Sequence, residues 1–185
     1  MSKSMLRTDL SANLPSEVLA VFRNFMTAET TTIGKNGFPV TWPILPLFCP
    51  QPFQFVILTS IGLLQKAVNV RRDGRVSLLF SEPAGSDLTR PPAVLVQGRA
   101  TAPDDVLIPM TKLDPVVAEA VREQGLRMVR KQPGMRMYLA NSITRWLMDW
   151  YFMRQAIYIL PERITWWPEG DFSQTPEVLE VRHVD

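Results

Sequence analysis

Leu58-Thr59-Ser60-Ile61-Gly62-Leu63-Leu64-Gln65-Lys66-Ala67-Val68-Asn69-Val70-Arg71-Arg72-Asp73-Gly74-Arg75-Val76-Ser77-Leu78 changes period twice, and the rest of the chain can be read outward from it. Its first residues close an apolar run, Phe53 to Thr59, which predicts a strand buried on both faces. Gly62 to Arg72 then takes helical spacing and stops at Asp73-Gly74, a strong turn signal. Arg75 to Ser81 resumes as a strand. A short helix between two strands, with tight turns at its borders, places this stretch inside a sheet.

Toward the N-terminus, Leu14 to Glu29 reads as a helix. Pro15 suits its first turn, Glu17 complements its positive end, and Val18, Leu19, Val21, Phe22, Phe25 and Met26 form one apolar face. The β-branched run Thr30 to Ile33 follows as a strand, and Asn36-Gly37 marks a hairpin because both residues tolerate positive φ. Phe38 to Phe48 reads as one second strand, with Pro43 and Pro46 indicating an edge, a bulge or an opening in the ladder. Cys49-Pro50-Gln51-Pro52 is a turn.

Toward the C-terminus, Glu82 to Pro91 is a loop and Ala93 to Thr101 a fifth strand. Asp104 to Lys131 carries two helical patterns split near Asp114-Pro115, with Arg127, Arg130 and Lys131 placed as the helix dipole prefers. Ile143, Trp146, Leu147, Trp150 and Tyr151 follow the spacing of a third helix, whose stripe suits a core or a dimer surface. Ala156 to Leu160 and Arg163 to Trp167 read as a final strand pair, joined or bent at Pro161. The tail from about 172 to 185 is polar and expected to be surface-bound or loose. Consecutive hairpins favour an antiparallel sheet closing into a barrel. Residues 1–185 are expected to form one domain, mainly β with helices (α+β), with a helical insertion at about 103–154.

Composition narrows the function. The chain has 185 residues, 46% hydrophobic and 21% charged, with a formal net charge of +2. Lys and Arg are interleaved with acids, so no basic stripe for nucleic acid is present. No apolar run approaches the roughly 18 residues of a membrane span. The one cysteine, Cys49, cannot form an internal disulfide, and a cytoplasmic location is expected. No G-x-G-x-x-G, P-loop, G-x-S-x-G or H-E-x-x-H occurs. The one histidine, His183, lies three residues from the end, which argues against a Ser-His-Asp hydrolase or a multi-histidine metal site. Catalytic residues are therefore unknown, and any redox chemistry must come from a cofactor.

A strand ending in Thr59-Ser60, a helix start and Lys66 can gather hydroxyls, backbone N–H groups and an ammonium, the ingredients of a phosphate site. The same residues can equally cap the helix and leave Lys66 on a solvated face. Gln97 can donate to a ring carbonyl or pair within the sheet. Trp166 and Trp167 suit core or interface anchors.

The order of these stretches resembles the pyridoxamine 5'-phosphate oxidase-like, FMN-binding split β-barrel superfamily. The resemblance is carried by Ala28-Glu29-Thr30-Thr31-Thr32-Ile33-Gly34, Asn36-Gly37-Phe38-Pro39-Val40, the opening stretch above, Val96-Gln97-Gly98-Arg99-Ala100 and Pro161-Glu162-Arg163-Ile164-Thr165-Trp166. It implies a six-stranded antiparallel split β-barrel with an inserted helical segment, a homodimer with the site between subunits, and a small-molecule substrate. It further implies FMN, or the deazaflavin coenzyme F-420, with the phosphate held through Thr59, Ser60, Gln65 and Lys66. Trp42, Pro43 and Gln97 would lie along the ring. Thr41 to Phe48 carries neither the Arg nor the Lys of the oxidase itself, and its R-L-x-P ending is missing, which argues against oxidation of pyridoxamine phosphate. The implied activity is a flavin-dependent hydride transfer. The alternatives are an F-420-dependent reductase and a carrier that binds flavin or haem without turnover.

Overall fold

In the computed structural model, residues 13–107, 115, 117–123 and 154–181 are described. Helix α1 spans Ser16–Asn24, with Pro15 before it, Glu17 in its first turn and Arg23 in its last. Strands β1 (Ala28–Ile33), β2 (Pro39–Ile44), β3 (Leu47–Pro50) and β4 (Phe53–Ser60) follow. A 3-10 turn at Ile61–Leu63 leads into α2 (Gln65–Arg72), then β5 (Arg75–Phe80), β6 (Ala93–Thr101) and the short β7 (Val106–Leu107). Residues 117–123 are helical (α3), β8 runs Arg154–Trp167 and β9 runs Glu177–Glu180.

The strands form one sheet in the order β2-β1-β5-β6-β8-β4-β3, with β7 and β9 added on β8. Every pairing is antiparallel. The two ends of that path are consecutive in sequence. Only Leu45 and Pro46 separate β2 from β3, and three peptide steps reach at most about 11 Å. Strands at opposite ends of a seven-strand path can lie that close only if the sheet is strongly curled. The result is an antiparallel half-barrel with helices, a split-barrel architecture.

Three expectations are corrected. Among the described residues the sheet has nine strands, not six. Phe38 to Phe48 is two strands, because the chain leaves one sheet end and joins the other at Leu45-Pro46, where proline suits an interrupted ladder. The tail is not wholly loose. Glu177–Glu180 pairs with Arg163–Trp166, and Val181 N–H donates to the Glu162 carbonyl at 2.8 Å.

The core lies inside the curl, closed by α1. Phe22 is 1% exposed, and its ring centroid lies 4.9 Å from Phe55, 5.3 Å from Phe48 and 5.4 Å from Phe80. One helical side chain thus joins β3, β4 and β5. A smaller apolar cluster lies on the other side of the sheet, where Val117, Ala120 and Val121 of α3 cover Leu47, Cys49, Val56 and Ala156. The aromatic stripe at 143–151 and the basic cluster at 127–131 fall outside the described residues, as does His183.

Strand β8 passes without a break through Pro161, opposite a bulge at Gln97/Gly98. Gly98 allows the bulge, since a Cβ there would sit 2.1 Å from the Leu160 carbonyl oxygen and 2.9 Å from Pro161 Cα, both backbone atoms. Gly98→Ala should therefore cost about 3 kcal/mol or more, measured as a drop in the urea unfolding midpoint. The corner entering β5 is held by Arg75, which donates to the Asp73 carboxylate. Those hydrogen bonds lower the Asp73 pKa to about 2. The pair's contribution is present above the ordinary aspartate range and is lost as pH falls through about 2.

Candidate functional site

Helix α2 packs against β1, β6 and β8. Its inward residues, Lys66, Ala67, Asn69 and Val70, share one face, as helical spacing requires. Three of those positions need no explanation or find partners. Ala67 and Val70 join the core. Asn69 is fully buried, donates from Nδ2 to Thr32 Oγ1 at 3.0 Å and accepts from Gln65 Nε2 at 2.9 Å.

Lys66 differs. It is 6% exposed, and its Nζ lies 5.1 Å from the centroid of the Trp42 ring. No carboxylate pairs with it among the described residues. Burial lowers the Lys66 pKa below the usual lysine value, because the charged form loses water. An indole face compensates a desolvated ammonium by about 2 kcal/mol, less than a carboxylate would.

Trp42 reaches this position through strand register. It is the cross-strand partner of Thr30, and Val40 and Ile44 share its side of β2 by alternation. Thr30 is 1% exposed, and its Oγ1 is buried without a hydrogen-bond partner. Among the described residues, the inner side of the β1–β2 edge thus holds a cation without a carboxylate, an indole and, on the cross-strand partner of that indole, an unsatisfied hydroxyl. An open depression lined by Gly34, Lys35, Asn36, Val40, Gln65 and Asn69 lies next to it, toward the β1–β2 hairpin.

The remaining residues singled out from sequence are distributed as follows. Thr59 is buried on the core side of β4, and its Oγ1 donates to the Leu63 carbonyl at 3.1 Å, tying down the turn before α2. Ser60 follows on the opposite side at the strand's end and makes no capping bond. Gln65 is exposed at the rim of the depression. Pro43 is exposed and, by alternation, faces away from Trp42. Gln97 is exposed on that outer face, in a register row that runs Thr41, Thr31, Ser77, Gln97, Arg163. The structure therefore brings Lys66 and Trp42 together, with Thr59 on their side of the sheet. Pro43 and Gln97 lie on the other face.

Sequence reading missed Thr30, Asn69 and Gln155. Asn69 was accessible, since it shares the Lys66-Ala67-Val70 face. Gln155 is 3% exposed, donates from Nε2 to the Pro103 carbonyl at 2.7 Å, and has an unpartnered Oε1. It is the cross-strand partner of Thr59, a long-range pairing with no local signal. Among the described residues no group of His, Cys, Asp and Glu is suited to hold a metal ion. No helix among them is long and apolar enough to cross a membrane.

No protein-family model matches the sequence, and no curated protein matches it. Solved structures do. A protein of Clostridium acetobutylicum, related to general stress protein 26 and described as of the pyridoxinephosphate oxidase family, aligns with a TM-score of 0.53 and 12% identity, over 89% of this chain and 92% of its own. A conserved hypothetical protein of Mycobacterium tuberculosis aligns at 0.52 with 23% identity, over 84% and 86%. A heme binding protein of Mycobacterium smegmatis aligns at 0.51 with 15% identity, over 90% of this chain but 59% of its own. At these identities the likeness is one of fold. The chain shares the split-barrel fold of these structures.

Proposed function

We propose that this chain binds a planar redox cofactor bearing a phosphate, FMN or its deazaflavin relative coenzyme F-420, with the anion seated at Lys66. One observation carries the reading: a lysine buried against an indole with no carboxylate beside it among the described residues. An uncompensated buried charge costs several kcal/mol and is best explained by an anion that arrives from outside. The donor set suits a phosphate: Lys66 supplies charge, and Gln65, exposed at the rim of the adjoining depression, supplies an amide donor. Trp42 offers a ring face beside them for stacking.

When bound, a flavin supplies hydride transfer through its ring. The chain's own residues hold the phosphate, cover the ring and exclude water. Among the described residues nothing at the site beyond Lys66 can serve as acid or base, so any turnover would rest on the cofactor's own chemistry. The expected homodimer, cytoplasmic location and small-molecule substrate belong to this reading. The outer face bearing Pro43 and Gln97 is the surface to which a second copy would bring its residues.

A second reading, haem carriage, is favoured by the likeness to the heme binding protein of Mycobacterium smegmatis. Propionates would suit Lys66, but no histidine lies among the described residues to ligate iron. Titration of the purified chain with FMN, F-420 and hemin, followed by tryptophan and flavin fluorescence, separates these readings. We expect FMN or F-420 to bind with micromolar affinity and Trp42→Ala to weaken binding about tenfold. Absence of flavin binding at about 1 mM, with saturable hemin binding, would replace the first reading by the second.

A further inference from the structure

The charged groups described on the helix of Lys66 and on the strands packed against it are engaged with other partners. On its own helix, Arg71 pairs with Asp104 at 3.0 Å and Arg72 donates to the Ile33 carbonyl. Asp73, just past the helix end, pairs with Arg75. On β1, Glu29 accepts from Ser81 at 3.0 Å. On β6 and β8, Arg99 pairs with Glu162 at 3.5 Å, and Arg163 pairs with Glu180 of β9 at 3.5 Å. Strand β2, which supplies Trp42, has no titratable side chain, and Lys35 lies exposed on the hairpin beyond it. Thus no described charged group stabilises or repels the Lys66 ammonium directly, and burial against the Trp42 ring lowers its pKa.

A site in that condition responds to its ligand. With the site empty, burial favours the neutral amine. An anion placed beside the nitrogen favours the ammonium, and the two effects oppose each other at one atom. We infer that an anionic ligand enters this site together with a proton taken up by Lys66, so that affinity is linked to pH. This deepens the cofactor reading above and rests on it. The linked proton comes from solvent and ends on Nζ, and no other bond is made or broken. Above the point where the empty site loses its proton, affinity falls by up to about tenfold per pH unit. The same linkage selects ligands that are anionic at the working pH and disfavours neutral rings of the same shape.

The test is calorimetric titration of the full chain with FMN at a series of pH values rising to the ordinary lysine value of about 10.4, throughout which the phosphate is a dianion, in two buffers of different ionisation enthalpy at each pH. The expected result is an observed enthalpy that differs between buffers, corresponding to uptake of a fraction of one proton. Lys66→Arg, whose guanidinium stays charged, should bind FMN with that difference removed. Binding by wild type with equal enthalpies in both buffers overturns the inference and leaves the cofactor site standing. Proton uptake that persists in Lys66→Arg overturns it as well, by assigning the proton to another group. No heat and no quenching with FMN overturns the cofactor reading itself, and the inference with it.

Discussion

Lys66→Met should bind FMN at least about thirtyfold more weakly than wild type while unfolding at no lower urea concentration. The two halves of this result have one cause. Removing one partner of a buried charge pair costs about 2–5 kcal/mol of binding, so the anion loses its seat. In the empty protein the same charge has no anion, and methionine fills the space under Trp42 without a desolvation cost. A lysine that served only the fold would give the opposite pattern. The pH dependence carries the same sign. Burial places the native pKa of Lys66 below that of the unfolded chain. Between those two values the unfolded chain binds more protons, and stability rises with pH. Below the native value the penalty is fully present. Urea midpoints measured on rising pH toward the ordinary lysine value should climb in wild type and stay flatter in Lys66→Met.

The largest loss of stability should come from Phe22→Ala, about 3–5 kcal/mol. Phe22 is buried, and its ring meets Phe48, Phe55 and Phe80 from three strands. The cavity cannot collapse, because those rings are held by a curled sheet on one side and α1 on the other. Phe38, 68% exposed at the hairpin, is the matched control. Phe38→Ala should stay within about 0.5 kcal/mol of wild type. Thermal unfolding of both variants checks the pair, and equal midpoints would show that α1 does not close the core.

Local signals in the sequence were read well and long-range ones poorly. Asn36-Gly37 forms the hairpin expected of it, with Gly37 at φ 82. The opening stretch forms strand, helix and strand as its period suggests. Lys66 was singled out for its place near a helix start, yet its significance lies in burial against Trp42, which depends on β2 register and the packing of α2. The same register puts Trp42 and Pro43 on opposite faces, an alternation that was already legible once β2 was taken as a strand. Strand β9 was hidden because Glu177 and Glu180 flank only Val178 and Leu179, and its pairing with β8 supplies what propensity lacks. Thr30 and Gln155 became visible only as unsatisfied atoms, which no sequence displays.

The central position of β8 bears on how the chain is made. Without β8 the path divides into β2-β1-β5-β6 and β4-β3. The strand that joins them follows every one of those strands in the chain. Phe55 of β4 pairs with Ile159, about a hundred residues later, so at roughly 5–20 residues per second β4 waits about 5–20 s for its partner. Through that interval β6 and β4 both lack the neighbour that joins them. Protease digestion of stalled nascent chains should find β4 unprotected until β8 has cleared the ribosome, and protected together with α1 immediately afterwards.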